Sequence, residues 1–145
     1  MRLEETALFD ATPERTWSVL VDWERQASWM PDVAWIRVAG PDRGLGTRLV
    51  VRTKVFGIPS VTDRLVVTAW EPPAHLAIDH LGLVRGRGEW KVSAAEEGRT
   101  RFEWFEQLSL PLGAVGEAAL RAYGPLQRAM LRRSIRNLRR LVERS

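Results

Sequence analysis

A chain of 145 residues has room for one domain around one hydrophobic core and gives no reason to assume a second. With 45% hydrophobic and 28% charged residues and no cysteine, it is neither a disordered chain nor a disulfide scaffold, and thiolate nucleophiles and sulfur-ligated metals are excluded together. The formal charge of +4 is concentrated in the last thirty residues, where Arg121, Arg128, Arg132, Arg133, Arg136, Arg139, Arg140 and Arg144 face only Glu117 and Glu143.

Arg2 to Phe9 reads as a first strand, with Leu3, Thr6 and Leu8 among charged neighbours, closed by Asp10. A helix start follows: Thr12 as N-cap, Pro13 at the first helical position where its missing N–H costs nothing, and Glu14 in the first turn. Trp17, Leu20 and Val21, thickened by Val19, fall on one face of that helix and are assigned to the core. Asp22 to Trp29 reads as a second short helix or helical turn, ended by Pro31.

Six strand patterns come next, over Val33 to Ala39, Thr47 to Phe56, Ser60 to Trp70, Leu76 to Leu81, Arg87 to Ala94 and Thr100 to Leu110. Their separators are Gly40-Pro41-Asp42-Arg43-Gly44, Gly57-Ile58-Pro59, Glu71-Pro72-Pro73, Gly82 and Glu96-Glu97-Gly98. Turns this short make sequential strands antiparallel, because parallel neighbours need crossovers of about a dozen residues or more. After Pro111 and Gly113 the period becomes helical to the end. Leu120, Tyr123, Leu126, Met130, Ile135, Leu138 and Leu141 form an apolar stripe opposite the arginines, and Pro125 predicts a kink or break near Tyr123.

The expected architecture is α+β: a curved seven-stranded antiparallel sheet gripping a long C-terminal helix, with two short helices after the first strand (β-α-α-β6-α). No apolar run approaches the roughly 20 residues of a membrane span and the start lacks a signal-peptide layout, so a cytoplasmic location is expected. His75 and His80 are the only imidazoles, and neither a metal nor a cofactor is expected.

The order of elements, together with "ATPERTWSVLVDWERQASWMPDV", "GLGTRL", "VVTAWEPPAHLAI" and "GRTRFEWFEQLSL", resembles the START/Bet v 1-like (SRPBCC) superfamily, in particular its bacterial polyketide cyclase/dehydrase branch. The likeness spans essentially the whole chain, 1–145, as one domain of the helix-grip fold. It implies a cavity between sheet and C-terminal helix that holds an apolar or aromatic small molecule, such as a lipid or a polyketide-like metabolite. It also implies that Trp23, Trp29 and Met30, on the short helices, cap or line that cavity. The alternative is that they plug the open end of the sheet.

Alternation along the strands supplies the inward polar groups. Leu49, Val51, Thr53 and Val55 share one face, leaving Arg48, Arg52 and Lys54 outside. Val61, Leu65, Val67 and Ala69 share parity with Asp63, Leu76 and Ile78 with His80, Trp90 and Val92 with Gly88, and Phe102, Trp104, Leu108 and Leu110 with Glu106. The expected ligand-contacting set is thus Trp23, Trp29, Met30, Thr53, Asp63, His80, Trp90, Trp104 and Glu106, with Tyr123, Leu126 and Met130 from the last helix. Asp63, His80, Glu106 and Tyr123 are the candidates for acid–base work, since burial moves such groups toward neutrality. The structural alternative pairs Asp63 or Glu106 with an arginine such as Arg64 or Arg87.

Three functions follow in order. The first is a binding protein, monomer or homodimer, for an apolar ligand. The second is a cyclase, aromatase or dehydratase using the same cavity, although no catalytic motif of that branch maps residue by residue onto this sequence. The third, ranked last, is an interaction module that meets nucleic acid, a membrane or an acidic partner through the arginine-rich helix.

Overall fold

The computed structural model describes residues 1–41 and 43–144; Asp42 of the first separator and Ser145 lie outside the described residues. Strand β1 (Arg2–Phe9) leads through helix α1 (Pro13–Leu20) and a 3₁₀ turn (Trp23–Ser28) into β2 (Val33–Ala39), β3 (Arg48–Val55), β4 (Ile58–Glu71), β5 (His75–Leu81), β6 (Arg85–Ala94), β7 (Thr100–Ser109) and helix α2 (Gly113–Val142). All neighbours are antiparallel and the seven strands lie in the order β1-β7-β6-β5-β4-β3-β2, so the first strand closes the meander beside the last.

Local chemistry accounts for the elements. The Thr12 side chain accepts the Arg15 N–H at 3.1 Å and Pro13 opens α1, as expected of that N-cap. The second short helix is a 3₁₀ turn, and buried Gln26 donates its side-chain amide to the Leu20 carbonyl at 2.8 Å, satisfying a C-terminal carbonyl of α1. At the far end of the chain Arg15 donates to the Leu141 carbonyl at 3.0 Å, which ties α1 to the last turn of α2.

The structure resolves the sequence reading at β1 and at Pro125 and corrects it in β4 and on the inner face of α2. In β1 the buried set is Leu3, Ala7 and Phe9, whereas Thr6 and Leu8 face outward; strict alternation with Phe9 decides the parity. In β4 the register shifts between Val67 and Ala69, so that Ala69 pairs with Ala77 and Trp70 with Leu76. Trp70 therefore replaces Ala69 on the inner face and packs edge-on against Trp17 at 5.2 Å. Helix α2 is not broken at Pro125; it runs through the proline as one 30-residue helix. Its innermost residues are Leu120, Leu131, Ser134, Ile135, Leu138 and Val142, a face rotated from the expected one, with Leu126 and Met130 only partly buried.

The core is unequally distributed. Around the turns that join β1 to α1 and β6 to β7, Phe9 stacks on Phe102 at 5.6 Å, and Phe102, Trp90, Trp104 and Trp29 form a continuous aromatic mass with centroids 5.6 to 6.3 Å apart. The C-terminal half of α2 seals this end. Its arginines lie outside: Arg132 binds Glu5 at 2.8 Å and Arg139 lies over the Phe9 ring and reaches the Leu8 carbonyl.

Candidate ligand-binding site

The opposite end is hollow. Between the concave face of the sheet and the N-terminal half of α2 lies a cavity of about 240 Å³. Its walls are chiefly apolar and come from every layer: Val33 and Ile36 of β2, Val51 and Val55 of β3, Leu65 of β4, Leu76 and Ile78 of β5, Leu108 of β7, and Leu120 and Leu131 of α2. The alternation inferred for β3 and β5 holds in this region, where Val51, Thr53, Val55, Leu76, Ile78 and His80 all reach the wall despite a β3–β4 register shift between Thr53 and Lys54. The shift between Val67 and Ala69 falls beyond it, towards Trp70.

Of the residues singled out from sequence, Trp23, Met30, Thr53, Asp63, His80, Trp90, Trp104, Glu106 and Tyr123 stand on the wall. Trp29, Leu126 and Met130 do not. Trp29 is 1% exposed and wedged against Trp90 and Trp104, so it fills the aromatic core, and its carbonyl accepts from Asn137 of α2 at 3.2 Å. Leu126 and Met130 flank the inner face of α2, which a period of 3.6 residues carries through Leu120, Tyr123, Gln127, Leu131 and Ser134. The stretch from Asp22 to Val33 thus divides its large side chains: Trp29 into the filled end, Trp23 and Met30 onto the cavity wall.

Two polar groups face the space. In the first, Glu106 takes His80 Nε2 at 3.1 Å on one carboxylate oxygen and the indole N–H of Trp104 at 3.0 Å on the other. Gly88, opposite Glu106 in the β6–β7 pairing, makes this possible: a Cβ there would sit 3.0 Å from both carboxylate oxygens. In the second, Asp32 and Gln127 stand together on the wall. Burial pushes the Asp32 carboxyl above its ordinary range and the charge of Glu106 adds to that rise, while hydrogen bonds from the backbone and from Gln127 oppose it. Burial also raises the Tyr123 phenol, helped by the Asp32 carboxylate.

Asp63 lies on the wall but is engaged at the rim, where its Oδ1 accepts the Leu83 backbone N–H at 2.9 Å and secures the β5–β6 turn. It pairs with neither Arg64 nor Arg87 in any ion pair of the described residues. His75 is separate: it binds Glu89 at 2.9 Å, and that hydrogen bond is the main reason the Glu89 carboxyl is held below its ordinary range.

Asp32, Gln127, Gln26 and Ser134 were not legible as wall residues. Gln127 stands four residues after Tyr123, and that helical spacing was the available signal. Asp32, between a proline and the first residue of β2, carried none. Among the described residues no Lys or Arg side chain stands on the wall. Among the described residues no group of three or more His, Asp or Glu side chains is arranged to hold a metal ion, and no helix is long and apolar enough to cross a membrane.

Such a site can enclose an apolar body and offer it acceptors, a phenol and an imidazole–carboxylate pair. Comparison with known proteins gives the family and the fold of the chain that carries it. Residues 1–143 match the family model described as polyketide cyclase/dehydrase and lipid transport. No curated protein sequence matches the chain. Among solved structures, TTHA0849 of Thermus thermophilus superposes with a TM-score of 0.79 at 18% identity, covering 98% of this chain and 97% of that one. An aromatase/cyclase, ZhuI of Streptomyces sp. R1128, gives 0.70 at 19% identity over 98% and 91%. The di-domain aromatase/cyclase StfQ of the steffimycin biosynthetic pathway gives 0.79 at 14% identity, with 98% of this chain covering 50% of that one. At these identities the superpositions establish a shared fold.

Proposed function

The chain belongs to the polyketide cyclase/dehydrase and lipid transport family, and from that premise we propose that it binds an apolar or aromatic small molecule carrying hydrogen-bond donors and no anionic head group. The observation that carries this reading is the composition of the cavity wall. An apolar chamber with a few convergent polar groups is the usual form of a small-molecule site. Here those groups include Asp32, Glu106, His80, Tyr123 and Gln127; among the described residues no guanidinium or lysine ammonium accompanies them, and the Met1 α-ammonium is engaged by the Leu108 carbonyl. A carboxylate ligand would bring a further negative charge beside Asp32 and Glu106 in a poorly solvated space, whereas a hydroxyl or amine would satisfy them.

The test is tryptophan fluorescence, because Trp23, Trp90 and Trp104 lie on the wall. Titration with a medium-chain alcohol, the matching amine and the matching carboxylate should quench with the first two and not the third. Equal binding of the carboxylate overturns the head-group assignment. No quenching by any apolar compound, together with no compound extracted from freshly purified protein after native mass spectrometry, overturns the binding reading itself.

A second reading, catalysis of cyclisation, aromatisation or dehydration on a ligand in this cavity, is favoured by one specific feature: the His80–Glu106 pair and the Asp32–Tyr123 neighbours open onto the same space and supply groups able to take and give protons. Under it, alanine at His80, Glu106 or Tyr123 abolishes turnover of a poly-β-keto substrate while leaving affinity largely intact. Asp63, which secures the β5–β6 turn, contributes less. Full turnover in all these variants overturns it.

A further inference from the structure

Six of the nine exposed large apolar side chains found among the described residues gather at the cavity end: Phe56 and Ile58 on the β3–β4 hairpin, Leu81 and Leu83 at the β5–β6 turn, Leu112 and Val115 at the start of α2, each between 51% and 77% exposed. Antiparallel order brings these three segments to one edge of the sheet, since β3, β5 and β7 all end there. Two of them are joined directly to the cavity wall. Val55 and Val84, beside Phe56 and Leu83 in sequence, line it, and the Phe56 ring meets the Tyr123 ring edge-on at 5.9 Å.

Leu8, Trp35 and Leu45 are exposed singly elsewhere and need no explanation, but an assembly of six around one opening does. Within 54–59, 81–85 and 110–116 the only ionisable side chains are Lys54 and Arg85, and Glu117 follows at the next helical position. Asp63, beside Leu83, faces the cavity wall and its Oδ1 is taken by the Leu83 N–H, which leaves the projecting tips chiefly cationic. Phe56 and Leu112 stand at turn apices in the left-handed region, φ 50° and 84°, so the surface is a set of projecting tips and not a groove.

We propose that this rim docks on an anionic membrane surface, the apolar tips entering the headgroup boundary and Lys54 and Arg85 meeting the lipid phosphates. Projecting apolar side chains backed by cations suit a lipid interface, which demands no shape complement, better than a protein partner, which does. The docking would bring the cavity opening against the bilayer, where apolar cargo is dissolved.

The experiment is co-sedimentation of the whole protein, without added ligand, with vesicles of phosphatidylcholine alone and of equal parts phosphatidylcholine and phosphatidylglycerol. Sedimentation with the mixed vesicles is expected, falling as salt is raised and several-fold weaker on phosphatidylcholine alone. The double variant Phe56→Asp/Leu112→Asp, whose circular dichroism and melting should match the parent, is expected to bind more weakly by about tenfold. Aspartate tolerates the left-handed backbone at both sites. Absence of sedimentation, or undiminished sedimentation of the variant, overturns the proposal. So does a concentration-dependent dimer in gel filtration that the same substitutions disperse while vesicle binding is absent, which would assign the rim to a second copy of the chain. Because no cargo is added, the outcome is independent of the ligand assay.

Discussion

The two ends of the sheet are built from the same strands and differ in what α2 does over them. Towards Phe9 and Phe102, both 0% exposed, the helix buries Ile135, Leu138 and Val142 against the packed core. Towards Tyr123 the helix buries only Gly116, Leu120 and Gly124, and a cavity opens. Stability and function are therefore separable along one axis: the filled end holds the helix in place, and the hollow end is free to keep polar groups that a packed core would not tolerate.

Removing an aromatic ring from the filled end should have the largest effect. Phe102→Ala, which leaves a void among Phe9, Trp90 and Trp104, should destabilise by about 3–5 kcal/mol in denaturant unfolding, as buried phenylalanine truncations do. Filling the hollow end should do the reverse. Ile78→Phe, which projects extra atoms into the cavity, should leave stability within about 1 kcal/mol and abolish ligand-induced fluorescence change. A loss as large as that of Phe102→Ala would show that both ends are packed alike and erase the distinction.

Asp32 offers a pH test of the same contrast. Its carboxyl titrates above the ordinary value of 3.8 in the folded protein, chiefly because it is buried, and near 3.8 in the unfolded chain. Between those two values the native state holds more protons than the unfolded state, so stability falls as pH rises from 3.8 through the raised value. Asp32→Asn should remove that slope, giving a variant at least as stable as the parent at neutral pH and no more stable at about pH 3, below both values. A variant less stable at neutral pH would mean that the Gln127 contact outweighs burial. The smallest effect belongs to the exposed surface of α2, where Arg132→Ala breaks the ion pair with Glu5; the cost should stay below about 1 kcal/mol and shrink with salt.

The expected fold and the observed one agree because the signals that carry the fold are local. Thr12-Pro13 caps a helix wherever it occurs, and the Gly- and Pro-containing separators turn the chain within a few residues, so the observed strands begin and end within two residues of the expected ones. Side-chain direction was legible where alternation ran unbroken, as in β3 and β5. It failed at Ala69, where a register shift outside the reach of any sequence signal turned Trp70 inward.

The candidate site was legible only in part, and the misses have one cause. Asp32 enters the cavity because the chain after the 3₁₀ turn is drawn along the sheet, the Asp32 carbonyl accepting the Lys54 N–H at 2.7 Å. Leu126 and Met130 leave it because the rotation of α2 about its axis is set by Ile135, Leu138 and Val142 at the filled end. By itself the sequence determined the elements, their order and the antiparallel sheet, since capping, turn chemistry and period act between neighbouring residues. Tertiary packing alone decided which end of the sheet is full and which is hollow, and hence which polar side chains face the cavity, because a cavity is what remains after residues distant in sequence have taken their places.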